Sequence, residues 1–251
     1  MIGTGAIEPI EAINSNFPLE LGKFSILDDD SILSVEFSPE GGNLLAGISL
    51  SGQVKIWQVS ANPERTDWPL LRILRDSSDE NIDEFFTGAF LPNGHFVAAG
   101  KRKHRHKWDS VREEAQNLPG LLKIFDLKTG NLIKKLGPND FSDTENRGHV
   151  DEILYLKPIS TSKGNFIISC GHDGQICRWS FSADWNEFLG EVQILKLGNL
   201  VFHFDQMSEE LIAVAVDNGL IIYDILNLKV RKRENIGIMT VIFCFLAYSS
   251  L

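Results

Sequence analysis

The sequence has few of the residues that build cross-linked proteins. Its 251 residues include only three cysteines. Three is an odd number, and the spacing matches no disulfide framework, so the cysteines indicate a reducing environment. The N-terminal stretch MIGTGAIEPIEAIN lacks the basic and apolar regions of a secretory signal. We therefore expect an intracellular protein, in the nucleus or the cytoplasm, with the nucleus slightly favoured.

Positive charge is scarce as well. Lysine and arginine number 24 against 34 aspartates and glutamates, which gives a formal net charge of -10. This balance excludes attraction of the whole surface to nucleic acid or to an anionic membrane. Binding of either kind would need a local basic patch.

Long apolar runs are missing until the C-terminus, where IGIMTVIFCFLAYSSL (236–251) follows the basic run 229–233. This tail is shorter than the roughly 20 apolar residues of a membrane-spanning helix. Its β-branched and aromatic residues favour a strand, the first of a truncated further blade. A tail anchor and a sequence from an altered reading frame remain alternatives, and we do not favour membrane attachment.

Amphipathic helical patterns are nearly absent, and only 110–116 has a helical composition. Instead, one plan occurs four times: two apolar strands, a tight Gly/Asp turn, and a third strand ending in an aromatic residue. The four aromatics are Trp57, Phe125, Trp179 and Tyr223. A fourth strand is visible in NLIKKL and in EVQILKL. The pattern predicts an all-β protein of repeated four-stranded units.

The third unit has the fullest set of motifs: Gly148-His149, Asp173-Gly174 and Arg178-Trp179. With these residues the repeat resembles the WD40 family, whose units fold as blades of a β-propeller. The resemblance implies about four recognisable blades within 22–235, after an N-terminal extension at 1–21. Four blades are fewer than a usual ring, so we expect an incomplete or open ring, and the chain is plausibly a truncated form of a longer propeller.

The resemblance also implies a structural hydrogen-bond chain through His149, Ser169, Asp173 and Trp179. A zinc site from Cys170, His172, Cys177 and His149 is the alternative, but the cysteines are seven residues apart on two predicted strands and do not form a close ligand pair. A serine nucleophile is disfavoured because no nucleophile elbow accompanies it. We therefore expect no catalytic residue, no metal, no cofactor and no small-molecule substrate.

A basic insertion, 101–120, separates the second and third strands of the second unit, where a short turn would suffice. Insertions on a rigid scaffold often carry binding function. The candidate partner-binding loop within it comprises Lys101, Arg102, Lys103, His104, Arg105, His106, Lys107 and Trp108. It could bind a protein through Trp108, contact nucleic acid, direct the chain to the nucleus, or be a solvated loop. Acidic loops before the first and third units are expected on the same rim.

The sequence therefore favours a non-catalytic protein–protein interaction scaffold in an intracellular multiprotein complex, with chromatin, transcription or RNA processing as nuclear settings. The alternative is a propeller that contacts nucleic acid through the basic loop 101–108. An enzyme that uses a propeller face is the third and least favoured reading.

Overall fold

The structure is a computed structural model that describes residues 31–39, 41–60, 62, 68–77, 82–103, 117–140, 142–143 and 147–235. Every regular element in these ranges is a strand. Accordingly, none of these ranges holds a helix with the length and apolar character needed to cross a bilayer. The described strands are β1 (Ile32–Phe37), β2 (Leu44–Ser49), β3 (Gln53–Gln58), β4 (Leu70–Arg75), β5 (Ile82–Leu91), β6 (His95–Lys103), β7 (Asn117–Leu118), β8 (Leu122–Asp126), β9 (Leu132–Leu136), β10 (Ile153–Thr161), β11 (Gly164–Gly171), β12 (Gln175–Phe181), β13 (Phe188–Lys196), β14 (Val201–Gln206), β15 (Leu211–Val216), β16 (Gly219–Asp224) and β17 (Lys229–Asn235).

The strands form four antiparallel sheets, each a meander in chain order. Blade 1 is β1 to β4, blade 2 is β5, β6, β8 and β9 with β7 added beside β6, blade 3 is β10 to β13, and blade 4 is β14 to β17. The predicted all-β fold of four four-stranded units is confirmed. The aromatics Trp57, Phe125, Trp179 and Tyr223 all lie on the third main strand of their blades.

The blades pack face to face. The first strands of successive blades lie side by side, β1 by β5, β5 by β10, and β10 by β14. Alternate residues on each strand point to opposite faces, so every inner blade supplies apolar side chains to two interfaces. Three clusters result: Ile48 with Phe96 between blades 1 and 2, Leu122 with Trp179 between blades 2 and 3, and Ile168 with Val214 between blades 3 and 4.

The four blades form an open arc and not a closed ring, as the sequence predicts. In blade 1, Ala46 and Ile48 face blade 2, so residues at alternate register positions face away from it. Val35 and Phe37 on that outward face are 60% and 55% exposed. The N-terminal extension 1–21, residues 22–30 and the apolar tail 236–251 lie outside the described residues.

The insertion in blade 2 begins and ends as strand. β6 continues to Lys103, and the short β7 returns to pair with its end, Lys103 opposite Asn117 and Arg102 opposite Leu118. The insertion predicted at 101–120 is therefore too long at both ends, because 101–103 belong to β6 and 117–118 form β7. Residues 104–116, which include the helical composition at 110–116, lie outside the described residues.

Candidate functional site

The four residues of the predicted hydrogen-bond chain come from four places in blade 3. His149 precedes β10, Ser169 lies on β11, Asp173 lies in the turn after β11, and Trp179 lies on β12. The structure brings them together. Nδ1 of His149 is 2.9 Å from Oδ2 of Asp173, and Nε2 is 2.8 Å from Oγ of Ser169. The indole N–H of Trp179 donates to the same Oγ at 2.9 Å.

Backbone groups complete the chain. The N–H of Val150 donates to Oδ2 of Asp173 at 2.9 Å, and the N–H of Gln175 donates to Oδ1 at 3.0 Å. The carboxylate thus ties the segment before β10 to the turn after β11. Each polar side-chain atom of the four residues has a hydrogen-bond partner inside the protein. Burying these side chains therefore leaves no polar atom unsatisfied.

Packing around Trp179 explains the glycine that precedes His149. His149, Ser169 and Trp179 are fully buried. A Cβ on Gly148 would lie 2.7 Å from Cη2 of Trp179, closer than real Cβ atoms approach other heavy atoms. The Gly-His pair therefore has two physical functions: the glycine admits the indole, and the histidine links the serine to the aspartate.

Burial lowers the pKa of His149, but the neighbouring Cys177 sulfur and the hydrogen bond to the Asp173 carboxylate outweigh it and raise the pKa to about 10. Burial likewise raises the pKa of Asp173, but His149 and the N–H groups of Val150 and Gln175 hold that pKa below its ordinary value. The raised pKa of His149 and the lowered pKa of Asp173 favour an imidazolium paired with a carboxylate, in which Nδ1 of His149 donates to Asp173.

This arrangement is structural, because the side chains of His149, Ser169 and Trp179 are buried and bonded within the blade. Cys170 packs in the cluster shared with blade 4, whereas Cys177 packs in the cluster shared with blade 2. The two thiols lie on opposite faces of the sheet and cannot bind one metal ion. Across the described ranges no group of three or more His, Cys, Asp and Glu could hold a metal ion.

Sequence reasoning missed a second buried polar cluster, in blade 2. Nζ of Lys123 is 2.8 Å from Oδ2 of Asp76 and 2.6 Å from Oδ2 of Asp83. Lys135 also reaches Oδ2 of Asp76, at 2.8 Å. The side chain of Lys123 is only 1% exposed. The available signal was a lysine inside the apolar strand LLKIF, because a lysine is almost never fully buried without a partner.

The first residues of the candidate partner-binding loop are committed to the fold. Lys101 forms an ion pair with Glu152 of blade 3. Arg102 is buried, and its Nη1 donates to the carbonyls of Pro119 at 3.2 Å and Asn139 at 3.3 Å. The contact with Asn139 sets the end of β6 beside the loop that contains Asp140.

The rest of the candidate loop is less fully described. The backbone of Lys103 belongs to β6. His104, Arg105, His106, Lys107 and Trp108 lie outside the described residues.

Comparison with known families gives two matches to the WD domain, G-beta repeat model, at residues 24–58 and 143–180. The second match spans all four members of the hydrogen-bond chain. Two units of the chain are WD40 repeats. WD40 propellers are generally non-catalytic and commonly bind other proteins. A search of curated proteins found no match to the chain. The matched units are blades 1 and 3, whereas blade 2 is interrupted by the insertion.

Proposed function

We propose that this WD40-repeat protein is a non-catalytic scaffold that holds other proteins in an intracellular complex, with the nucleus as the favoured location. The observation that supports this most is the complete burial of His149, Ser169 and Trp179 and their mutual hydrogen bonding. These polar side chains, within the part of the chain that the structure describes, hold blade 3 together. What remains for function is the rigid surface that the blades present.

Partner recognition is assigned in this proposal to residues 104–108, with Trp108 as the anchor, since aromatic residues contribute strongly to binding at interfaces. A protein partner is favoured over nucleic acid. Lys101 is neutralised by Glu152, and Arg102 is buried against backbone carbonyls. Two of the basic residues are therefore unavailable to phosphates, and Asp140 stands close by.

The test is affinity purification of the full chain from cells beside a variant in which residues 104–108 are replaced by glycine and serine. Lys101–Lys103 stay intact because they complete β6. The control replaces Ser162 and Lys163, the turn between β10 and β11 of blade 3. We expect the loop variant to lose partners that the control retains.

An identical partner set for the loop variant, the control and the unchanged chain would refute the assignment to 104–108. If the loop serves only as a nuclear address, the variant moves to the cytoplasm but keeps its partners in lysate. If the target is nucleic acid, the affinity falls steeply with salt concentration, because counterions are released from neutralised phosphates.

A further inference from the structure

At the outer rim where blade 1 meets blade 2, a second surface of the arc combines exposed apolar side chains with two arginines. A groove of about 810 Å³ runs there along β4 and the turn between β8 and β9. Leu70, Leu71 and Ile73 on β4 are 48%, 44% and 46% exposed. β4 is the last strand of its sheet, so these apolar side chains stand at a sheet edge. Proteins usually protect such edges.

Two arginines give the groove its charge. Arg72 and Arg75 are exposed on β4, and neither forms an ion pair with any part of the chain that the structure describes. The acidic residue of the lining is Asp76, which is buried and bound by Lys123 and Lys135. Its charge is therefore compensated from inside. The groove is cationic on a protein whose net charge is -10.

The opposite wall approaches β4 closely. A Cβ on Gly130, in the turn after β8, would lie 3.7 Å from Cδ of Arg72 and 3.7 Å from the carbonyl oxygen of Ile73. Glycine at this position, with φ of +80°, gives the turn its left-handed conformation. The turn after β8 therefore packs against β4, and the groove runs along the free edge of that strand, where an extended segment can lie beside it.

Arg72 lies opposite Ile56 on the face of β4 toward blade 2, whereas Arg75 lies opposite Gln53 on the other face. We propose that this groove binds an extended segment of another protein in which pairs of apolar residues alternate with pairs of acidic residues, so that each face of the segment presents both kinds. The apolar side chains cover Leu70, Leu71 and Ile73, and the carboxylates form charge-assisted pairs with Arg72 and Arg75. A second copy of the chain is disfavoured, because edge-to-edge pairing of two β4 strands would gather four guanidinium groups. This inference rests on the proposed scaffold function and names one of its binding surfaces.

The probe is a fluorescent peptide of about eight residues, within the length of an ordinary strand, in which pairs of valines alternate with pairs of glutamates. A matched peptide has lysine in place of each glutamate. The variant is the full chain with Arg72→Glu and Arg75→Glu. The control is Arg233→Glu, which changes an exposed arginine on the outer strand of blade 4. Binding is measured by fluorescence anisotropy.

We expect the glutamate peptide to bind the unchanged chain and the Arg233→Glu control alike, and to lose about tenfold or more in affinity for the double variant, because electrostatic complementarity is inverted. The double variant should bind the lysine peptide instead. Both substitutions are at exposed side chains, so an unchanged melting temperature for the double variant shows that the fold is retained.

Four outcomes would overturn the proposal, three with the full chain and one after truncation. The glutamate peptide does not bind; it binds equally to the double variant; or single-stranded RNA binds the groove more tightly than the peptide and with the same dependence on Arg72 and Arg75. If a segment of the chain itself fills the groove, the peptide binds only after removal of residues 1–21, which also rejects an external partner. The scaffold function is judged separately by the partners recovered from cells, which a failed peptide does not affect.

Discussion

Blades 2 and 3 have the same backbone plan but place different chemistry at equivalent positions. In blade 3, Ser169 lies opposite Cys177, two residues before Trp179. In blade 2, Ala98 lies opposite Lys123, two residues before Phe125. The hydroxyl that receives the indole N–H is therefore absent from blade 2, and a lysine stands where blade 3 has a cysteine.

Two residues after Ala98 and Ser169, both blades have a glycine, even though the side chains at Ala98 and Ser169 themselves differ. A Cβ on Gly100 would collide with the carbonyl oxygen of Glu84, and a Cβ on Gly171 would collide with that of Glu152. Both glycines let the second strand approach the first at the end of the hairpin. The blade therefore requires a close backbone approach there, while the buried polar groups are free to vary as long as they find partners.

The hydrogen-bond chain of blade 3 and the ionic cluster of blade 2 differ in how far apart along the sequence their members lie. The blade 3 chain joins residues 10 to 24 positions apart within one sheet. In blade 2, Lys123 binds Asp76, which follows the last strand of blade 1, and Asp83 on β5. The ionic cluster thus ties one blade to the connection from its neighbour. A buried ion left without its partner is more costly than a lost neutral hydrogen bond.

The largest loss of stability is expected for Trp179→Ala. The substitution removes a fully buried indole and the hydrogen bond that it donates to Ser169, so the free energy of unfolding should fall by roughly 3–5 kcal/mol. Guanidinium denaturation of the full chain measures this. The control is Phe202→Ala, whose side chain is 43% exposed, and which should cost far less. Equal losses for both would mean that Trp179 is not central to the fold.

A somewhat smaller loss is expected for Lys123→Met, which keeps the volume but removes the charge between Asp76 and Asp83. Two buried carboxylates lose their common partner, and breaking such a pair costs about 3 kcal/mol or more. Lys135 still neutralises Asp76, so the low end of that range applies.

The check on the ionic cluster is a double-mutant cycle. Adding Asp83→Asn to Lys123→Met should restore part of the stability, because the stranded charge is removed with its partner. The matched control is Lys163→Met on an exposed turn. If Lys123→Met costs no more than this control, the cluster does not stabilise the contact between blades 1 and 2.

The contrast between the blades also shows why some features were predictable from sequence. The four blades and their aromatics follow from local periodicity, which each unit displays within its own length. The chain of His149, Ser169, Asp173 and Trp179 was predictable because its motifs match a known repeat. The strand β17 was harder, because an outer strand exposes its side chains and Lys229–Asn235 therefore reads as a basic run.

The ionic cluster was not predicted for a different reason. Asp76 and Asp83 are 47 and 40 residues from Lys123 along the chain, and no local pattern connects them. Arg102 is similar: within a run of basic residues it reads as solvated, yet the strand pairing of β6 with β7 buries it. Contacts that depend on packing between blades cannot be read from one unit alone.

The smallest expected effect is the pH dependence of the His149–Asp173 pair. The pKa of His149 is raised from 6.5 to about 10, so its stabilising contribution is complete below pH 6.5 and is lost as the pH rises toward 10. The pKa of Asp173 is lowered from 3.8, so its contribution is present above that pH and is lost on further acidification. The pair therefore stabilises the fold most between about pH 4 and 6.5.

Asp173→Asn tests this window, since the amide keeps the shape of the carboxylate but not its charge. The difference in unfolding free energy from the unchanged chain should be about 1.5–3 kcal/mol at pH 5 to 6, as expected for a hydrogen bond to a charged group. It should shrink toward pH 10 and below pH 4. Glu187→Gln, at an exposed position in the same blade, is the control. A difference that stays constant from pH 4 to 10 would mean that His149 is neutral in the folded chain, and that the blade 3 chain is an uncharged relay in contrast to the ionic cluster of blade 2.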